Sequence, residues 1–170
     1  MLTFCLRVAH QLVLGSFSPQ GVVAGTKRVT APFRCYPLDL DVFGHMNNAN
    51  YIRVAELARW RMLTESGLFS YMLKKRLMFL LVEQTVTYAR PIMPFQSYKI
   101  QTSIKVCSED KWVYYTHIFE EANPSSSSEP PKQYARIDAK TVMKLSNGKT
   151  VKPSEVSAIN PYYRNLTEMK

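Results

Sequence analysis

Asp41, His45, Asn47 and Asn48 fall within eight residues of one another in the stretch LDLDVFGHMNNANYIRVAELAR, from Leu38 to Arg59. A carboxylate can act as general base or nucleophile, and the positive end of a helix polarises a carbonyl placed against it. Asn47 and Asn48 are good helix caps, and neither Pro nor Gly interrupts the chain from Ala49 until Gly67, so a long helix is expected to start here. Taken alone, Asp39 or Asp41 serves equally well in an Asx-turn, and His45 as a side chain bonded to backbone. Asp39 is read as structural. Glu56 and Arg59, three apart, are expected to form an intrahelical ion pair that orients the helix.

The elements that must hold these residues follow from pattern. Thr26 to Tyr36 is rich in β-branched and aromatic residues and reads as a first strand, with Pro32 marking an edge or a bulge. After the main helix, Glu65 to Phe69 reads as a helix end and turn, and Phe69 to Arg76 as a short helix or an anchored loop. Strand-like runs follow at Phe79 to Tyr88, Tyr98 to Val106, Trp112 to Glu121 and Tyr134 to Leu145. Asn147-Gly148 signals a tight hairpin turn, and KTVKPSEVSAI a final short strand or tail. The polar, Pro-rich insertion ANPSSSSEPPK is expected to be a mobile loop. One helix before a multi-stranded antiparallel sheet is an α+β arrangement.

The 170 residues suit one domain with its own core, and 46% apolar residues with 20 Phe, Trp and Tyr side chains exclude a disordered chain. No apolar run is long enough to span a bilayer. Three cysteines, Cys5, Cys35 and Cys107, and three histidines at wide spacing indicate neither a disulfide framework nor a zinc site. The net charge is +9, and residues 1–38 hold Arg7, Lys27, Arg28 and Arg34 with no acid. Read as a helix, the first segment places Leu2, Leu6, Ala9 and Val13 on one face, which suits a mitochondrial targeting segment. A secretory signal, a membrane anchor and a retained N-terminal arm are the alternatives. The basic surplus would attract nucleic acid or coenzyme A phosphates alike, but no nucleic-acid motif or Gly-rich phosphate loop accompanies it.

The residues Asp41, Gly44-His45, Asn48, Tyr51, Glu56 and Arg59 together resemble the active-site motif of the hotdog-fold thioesterases. This is the superfamily of 4-hydroxybenzoyl-CoA thioesterase and the plant acyl-ACP thioesterases. DLD followed by HMNNA, and the later run ARPIMPFQSYKIQTSIKVCSEDKWVYYTHIF, are most similar to its member-six branch, over roughly Lys27 to Ile159. One departure is Phe43, where the plant enzymes carry Asn. The resemblance implies a single hotdog domain over residues 27–160, a curved antiparallel sheet wrapped around a long central helix. Residues 1–26 are then a targeting segment or arm, and 161–170 a tail.

The implied activity is hydrolysis of acyl-CoA or acyl-ACP thioesters, with no metal or other cofactor. Asp41 would be the base or nucleophile, and His45 and Asn48 would orient water or the thioester. Backbone N–H groups around Asn48 and Ala49 would hold the oxyanion. Met62 and Phe79 would line an acyl tunnel, and Arg90, with Lys74-Lys75-Arg76, would meet the phosphates. Family members pair through sheet edges, so a homodimer is expected. The rival expectation is a catalytically silent hotdog domain serving as a structural part of a mitochondrial assembly with RNA, such as the ribosome.

Overall fold

The computed structural model describes residues 2–16, 28–106, 111–124 and 130–157. Parts of the Ser/Pro insertion and of the turn before Trp112, and the whole 161–170 tail, lie outside the described residues. A helix, α1 (Leu2–Ser16), is followed by strand β1 (Arg28–Arg34), a 3-10 turn at Pro37–Asp39 and the long helix α2 (Asn48–Glu65). Then come α3 (Leu68–Lys75), β2 (Leu77–Tyr88), β3 (Ser97–Val106), β4 (Trp112–Glu121), β5 (Gln133–Leu145), β6 (Thr150–Val151) and α4 (Pro153–Ser157). The final segment thus makes a short strand and then a helical turn begun by Pro153, whose fixed φ suits a first helical position.

The strands form one antiparallel sheet in the order β1-β3-β4-β5-β2, with β6 paired to β5. Pro32 lies in β1, at the sheet edge, where its missing N–H costs no ladder bond on the open side. Burial alternates along β3 and β4, so Tyr98, Ile100, Ile104, Val113, Tyr115 and Phe119 all face one side. Tyr51, Val54, Ala55, Ala58 and Met62 recur at helical spacing on α2 and are buried against that side. The small Ala55 and Ala58 let the helix approach the sheet closely. This is the hotdog arrangement.

The core has two apolar halves. One gathers Met46, Tyr51, Val54, Ile92, Tyr98 and Phe119 near the start of α2; the other gathers Met62, Leu68, Met72, Tyr115 and Met143 near its end. Each such side chain, fully buried, contributes about 1.5–3 kcal/mol. Between the halves, His117 and Thr102 are buried polar residues of β4 and β3, with Thr102 Oγ1 3.0 Å from His117 Nδ1.

Helix α1 packs beside α2: Gly15 sits against Thr64, Gln11 is buried, and Arg7 reaches Asp39. Leu6 and Val13, expected on an apolar face, are instead 62% and 52% exposed. The expected Glu56–Arg59 pair does not form. Arg59 points inward, its guanidinium 5.4 Å from the centre of the Tyr115 ring, and Arg61 pairs with Glu65 at 2.7 Å. An i,i+3 pair is worth only a few tenths of a kcal/mol, less than a desolvated cation–ring contact.

Burial holds His117 down at about 3, with Arg59 adding to the effect and Asp138 opposing it. The folded protein therefore keeps it neutral, while the unfolded chain binds a proton below about 6.5. Stability from this residue is fully present above that pH and is lost as pH falls from about 6.5 towards 3, by several kcal/mol at most (order of magnitude). Urea unfolding between pH 7 and 4 should show this slope, and His117→Gln should flatten it. An unchanged slope in the variant would rule out His117 as its source.

Candidate active site

The loop between β1 and α2 is built around Asp39. Its carboxylate accepts Arg7 Nη1 and Nη2 at 2.8 and 3.2 Å and the Tyr36 N–H at 2.9 Å, and only 3% of the residue is exposed. Its carbonyl accepts the Asn47 N–H and Asn50 Nδ2, both at 2.8 Å. The entry to α2 is thereby tied to the 3-10 turn.

Beyond Asp39 the chain folds back on itself. Leu40 bridges to Met46, the Asp41 N–H donates to the His45 carbonyl at 3.0 Å, and the Gly44 N–H donates to the Asp41 carbonyl at 3.1 Å. Gly44 takes φ +78°, a conformation a Cβ would strain. Within this turn Asp41 Oδ1 accepts the Phe43 N–H at 2.9 Å, the Asx-turn anticipated for an isolated Asp, and Oδ2 lies 3.3 Å from His45 Nδ1. The Phe43 ring stacks on His45 at 6.2 Å. Asp41 and His45 are therefore brought together, the carboxylate partly exposed. Around them Leu38, Val42 and Phe43 are 82%, 93% and 80% exposed, an apolar rim.

Asn47 is the N-cap, its Oδ1 accepting the Ala49 N–H at 2.9 Å. The Ala49 N–H, expected to hold an oxyanion, is thus occupied, because a helix start satisfies its orphan donors with a capping side chain where one is available. The Asn48 N–H has no partner among the described residues. Asn48 itself is exposed on the first turn, and its carbonyl accepts the Tyr88 hydroxyl at 3.2 Å.

The segment 89–96 is stitched alongside. The Met46 N–H donates to the Ile92 carbonyl, the Ile92 N–H to the Tyr51 hydroxyl, and Cys35 exchanges bonds with Phe95 and Gln96. Arg90 is exposed on this segment, at the same end of the molecule as Asp41. Lys74, Lys75 and Arg76 lie beyond the far end of α2, about 27 Å away along an 18-residue helix, so within one chain they do not share a site with Asp41. Met62 is 1% exposed and closes the far half of the core instead of lining an opening, while Phe79 is partly exposed on the inner face of β2. Arg7 and Tyr88 are the positioning residues that the sequence did not reveal, whereas Tyr51, which holds the Ile92 N–H, is already part of the motif.

Residues 35–157 match the family model described as the Thioesterase-like superfamily. The chain belongs to that superfamily. Protein THEM6 of Xenopus laevis is 35% identical over 83 residues, 49% of this chain and 40% of that protein. The long-chain acyl-CoA thioesterase FadM of Escherichia coli is 40% identical over 52 residues, 31% of this chain and 39% of FadM. The matched stretches thus span about two fifths of these relatives. Among solved structures, the YbaW probable thioesterase from Escherichia coli superposes with a TM-score of 0.67 at 19% identity, covering 82% of this chain and 98% of that one. At that identity the superfamily likeness to YbaW is one of fold.

Proposed function

We propose that the chain hydrolyses acyl-CoA or acyl-ACP thioesters, with Asp41 as the reacting carboxylate. The observation that carries this reading is the Asp41–His45 pair, held at 3.3 Å in a tight turn beside the start of α2. Under general-base catalysis by Asp41 a water oxygen bonds to the thioester carbon; in the covalent route an Asp41 oxygen bonds to it first, and water hydrolyses the resulting anhydride to free acid and Asp41 carboxylate after the thiolate has left. The C–S bond breaks, and the thiolate departs with the electron pair and is then protonated. A simple thiol has a pKa near 8.5, so the leaving group needs little acid assistance, which suits a site with one carboxylate. The Asn48 N–H, at the positive end of the helix, is the donor for the oxyanion. The apolar rim of Leu38, Val42 and Phe43, and the likeness to a protein named long-chain acyl-CoA thioesterase, favour a fatty acyl group.

Two further elements belong to this reading. Among the described residues nothing pairs with the outer edge of the 12-residue strand β2, whose Met78, Leu80, Leu81 and Val82 are each 43–52% exposed, and such an edge invites pairing. We infer a homodimer through β2. The N-terminal segment is assigned to mitochondrial import on its lack of acids and the uncovered Leu6 and Val13 of α1.

Asp41→Asn should lower kcat on acyl-CoA by about 10²–10⁴-fold without unfolding the protein, whereas Asp138→Asn on the outer sheet face should leave it near wild type. Asp39→Asn is no such control, since it disturbs a buried carboxylate paired to Arg7. Equal activity in a folded Asp41→Asn protein would refute the assignment, and no thiol release from a broad acyl-CoA panel would return the domain to the scaffold reading. Sedimentation equilibrium at micromolar concentration should give a dimer that Val82→Lys weakens; a monomeric wild type would exclude it. Residues 1–26 fused to a fluorescent protein should direct it to mitochondria, and a diffuse or secretory pattern would sink the localisation.

A further inference from the structure

The boundary between the two apolar halves is short of hydrogen-bond partners. His117 is 0% exposed, and its Nε2 meets nothing. Thr102 Oγ1 lies 3.0 Å from Nδ1, and in the tautomer in which this hydroxyl donates to Nδ1, Nε2 carries the proton and is a donor. The His117 ring stacks on Tyr115 at 6.3 Å, and over Tyr115 lies the Arg59 guanidinium, whose buried Nε also has no partner and which joins no carboxylate among the described residues. Gln84 of β2 stands in register with Ala139 of β5, which stands in register with Tyr115, and its Nε2 is likewise buried and unpaired. A buried donor left without an acceptor costs about 1–3 kcal/mol, and native proteins carry few of them. Three around one ring mark a place for an acceptor.

The surroundings connect this place to the reacting end. Helix α2 lies against β3, β1 and β5. Pairing with inward positions of β5 puts Phe79, Leu81, Gln84, Val86 and Tyr88 of β2 on the inner face, and all of them remain partly or well exposed. An open strip therefore runs between α2 and β2. At one end the Tyr88 hydroxyl is bonded to the Asn48 carbonyl; at the other stand Gln84 and Arg59. Along α2, Asn48 to Arg59 spans about 16 Å.

We infer that Arg59, Gln84 and His117 form a subsite for a carboxylate at the far end of the acyl chain, so that the preferred substrates are thioesters of medium-chain dicarboxylic acids, esterified at one end. This rests on the thioesterase reading of the Asp41 site. A carboxylate fits because the unpaired atoms of Arg59 and Gln84 are N–H donors, joined by His117 Nε2 in that tautomer, because it presents about four acceptor positions, and because a guanidinium with no acid partner among the described residues supplies the opposite charge. A terminal methyl would leave all three donors unpaired.

The test uses the full chain carrying Asp41→Asn, to slow turnover, with calorimetric binding of the mono-CoA thioester of dodecanedioic acid and of dodecanoyl-CoA. The diacid thioester should bind about tenfold or more tightly, as charge-assisted bonds to a buried site require. Arg59→Met and, without a change of charge, Gln84→Leu should each reduce that preference, with folding checked by thermal unfolding. Equal binding of the two thioesters, the result if ordered water fills the place, overturns the subsite alone, as does a preference untouched by both substitutions. If neither thioester binds and the wild type releases no thiol from either, the thioesterase reading falls and takes the subsite with it.

Discussion

The start of α2 is held in place by Asp39. Its carbonyl takes two donors from the first residues of the helix, and its carboxylate takes one backbone N–H and both terminal nitrogens of Arg7. A carboxylate this deeply buried is tolerated only because those partners replace the water it has lost. The reacting turn hangs from this anchor: Asp41 lies two residues on, where the chain reverses through Gly44 and returns to the N-cap at Asn47. Asp39 is thus a structural requirement and Asp41 the partly exposed chemical group. Two carboxylates of one type, two residues apart, differ in role because one faces the interior and the other the rim.

The same division between satisfied and unsatisfied groups runs through the interior. Around Asp39 every donor and acceptor named has a partner, which gives the loop a single geometry. Around Tyr115, Arg59, Gln84 and His117 do not reach that condition, although the register of β2, β4 and β5 imposes the inward placement of Gln84 and His117, and α2 directs Arg59 onto the Tyr115 ring. A fold selected for stability alone would have placed apolar side chains there, since replacing buried polar groups by well-packed apolar ones is often stabilising. The polar seam also adds acid sensitivity through His117, a cost that an apolar residue would not bring.

Local pattern carried much of the fold. Strand-like runs bounded by turn residues located four of the strands to within two residues at each end, because turn chemistry punctuates a sheet wherever the chain reverses, and the Asn-Gly pair marked the β5–β6 turn. The uninterrupted run after Asn48 gave the main helix. What local pattern could not carry is set by distant partners. Arg7 finds Asp39 across 32 residues, and Arg59 leaves Glu56 for a ring on β4, so neither contact leaves a trace in spacing. The difference between Met62, sealed in the core, and Phe79, on the inner face of an incompletely covered strand, is likewise a matter of where α2 lies on the sheet. The Ala49 N–H shows the same limit at short range: a capping residue and an oxyanion donor are indistinguishable in sequence until the side chain of Asn47 is seen to occupy it.

Helix α1 meets two physical demands that pull in different directions. Its inner side is attached through Arg7, Gln11 and Gly15, and its outer side leaves Leu6 and Val13 uncovered, the reverse of the usual amphipathic arrangement. An uncovered apolar stripe on a basic, acid-free segment is what an import receptor or a lipid surface would engage. The buried ion pair points the other way: removing α1 would strip Asp39 of its only cationic partner among the described residues and leave a carboxylate almost without solvent, at the residue from which the reacting loop hangs. If the segment directs import and the folded loop is to keep the geometry described above, α1 must therefore stay attached after import. The weight of Arg7 on Asp39 makes α1 a structural strut of the reacting loop.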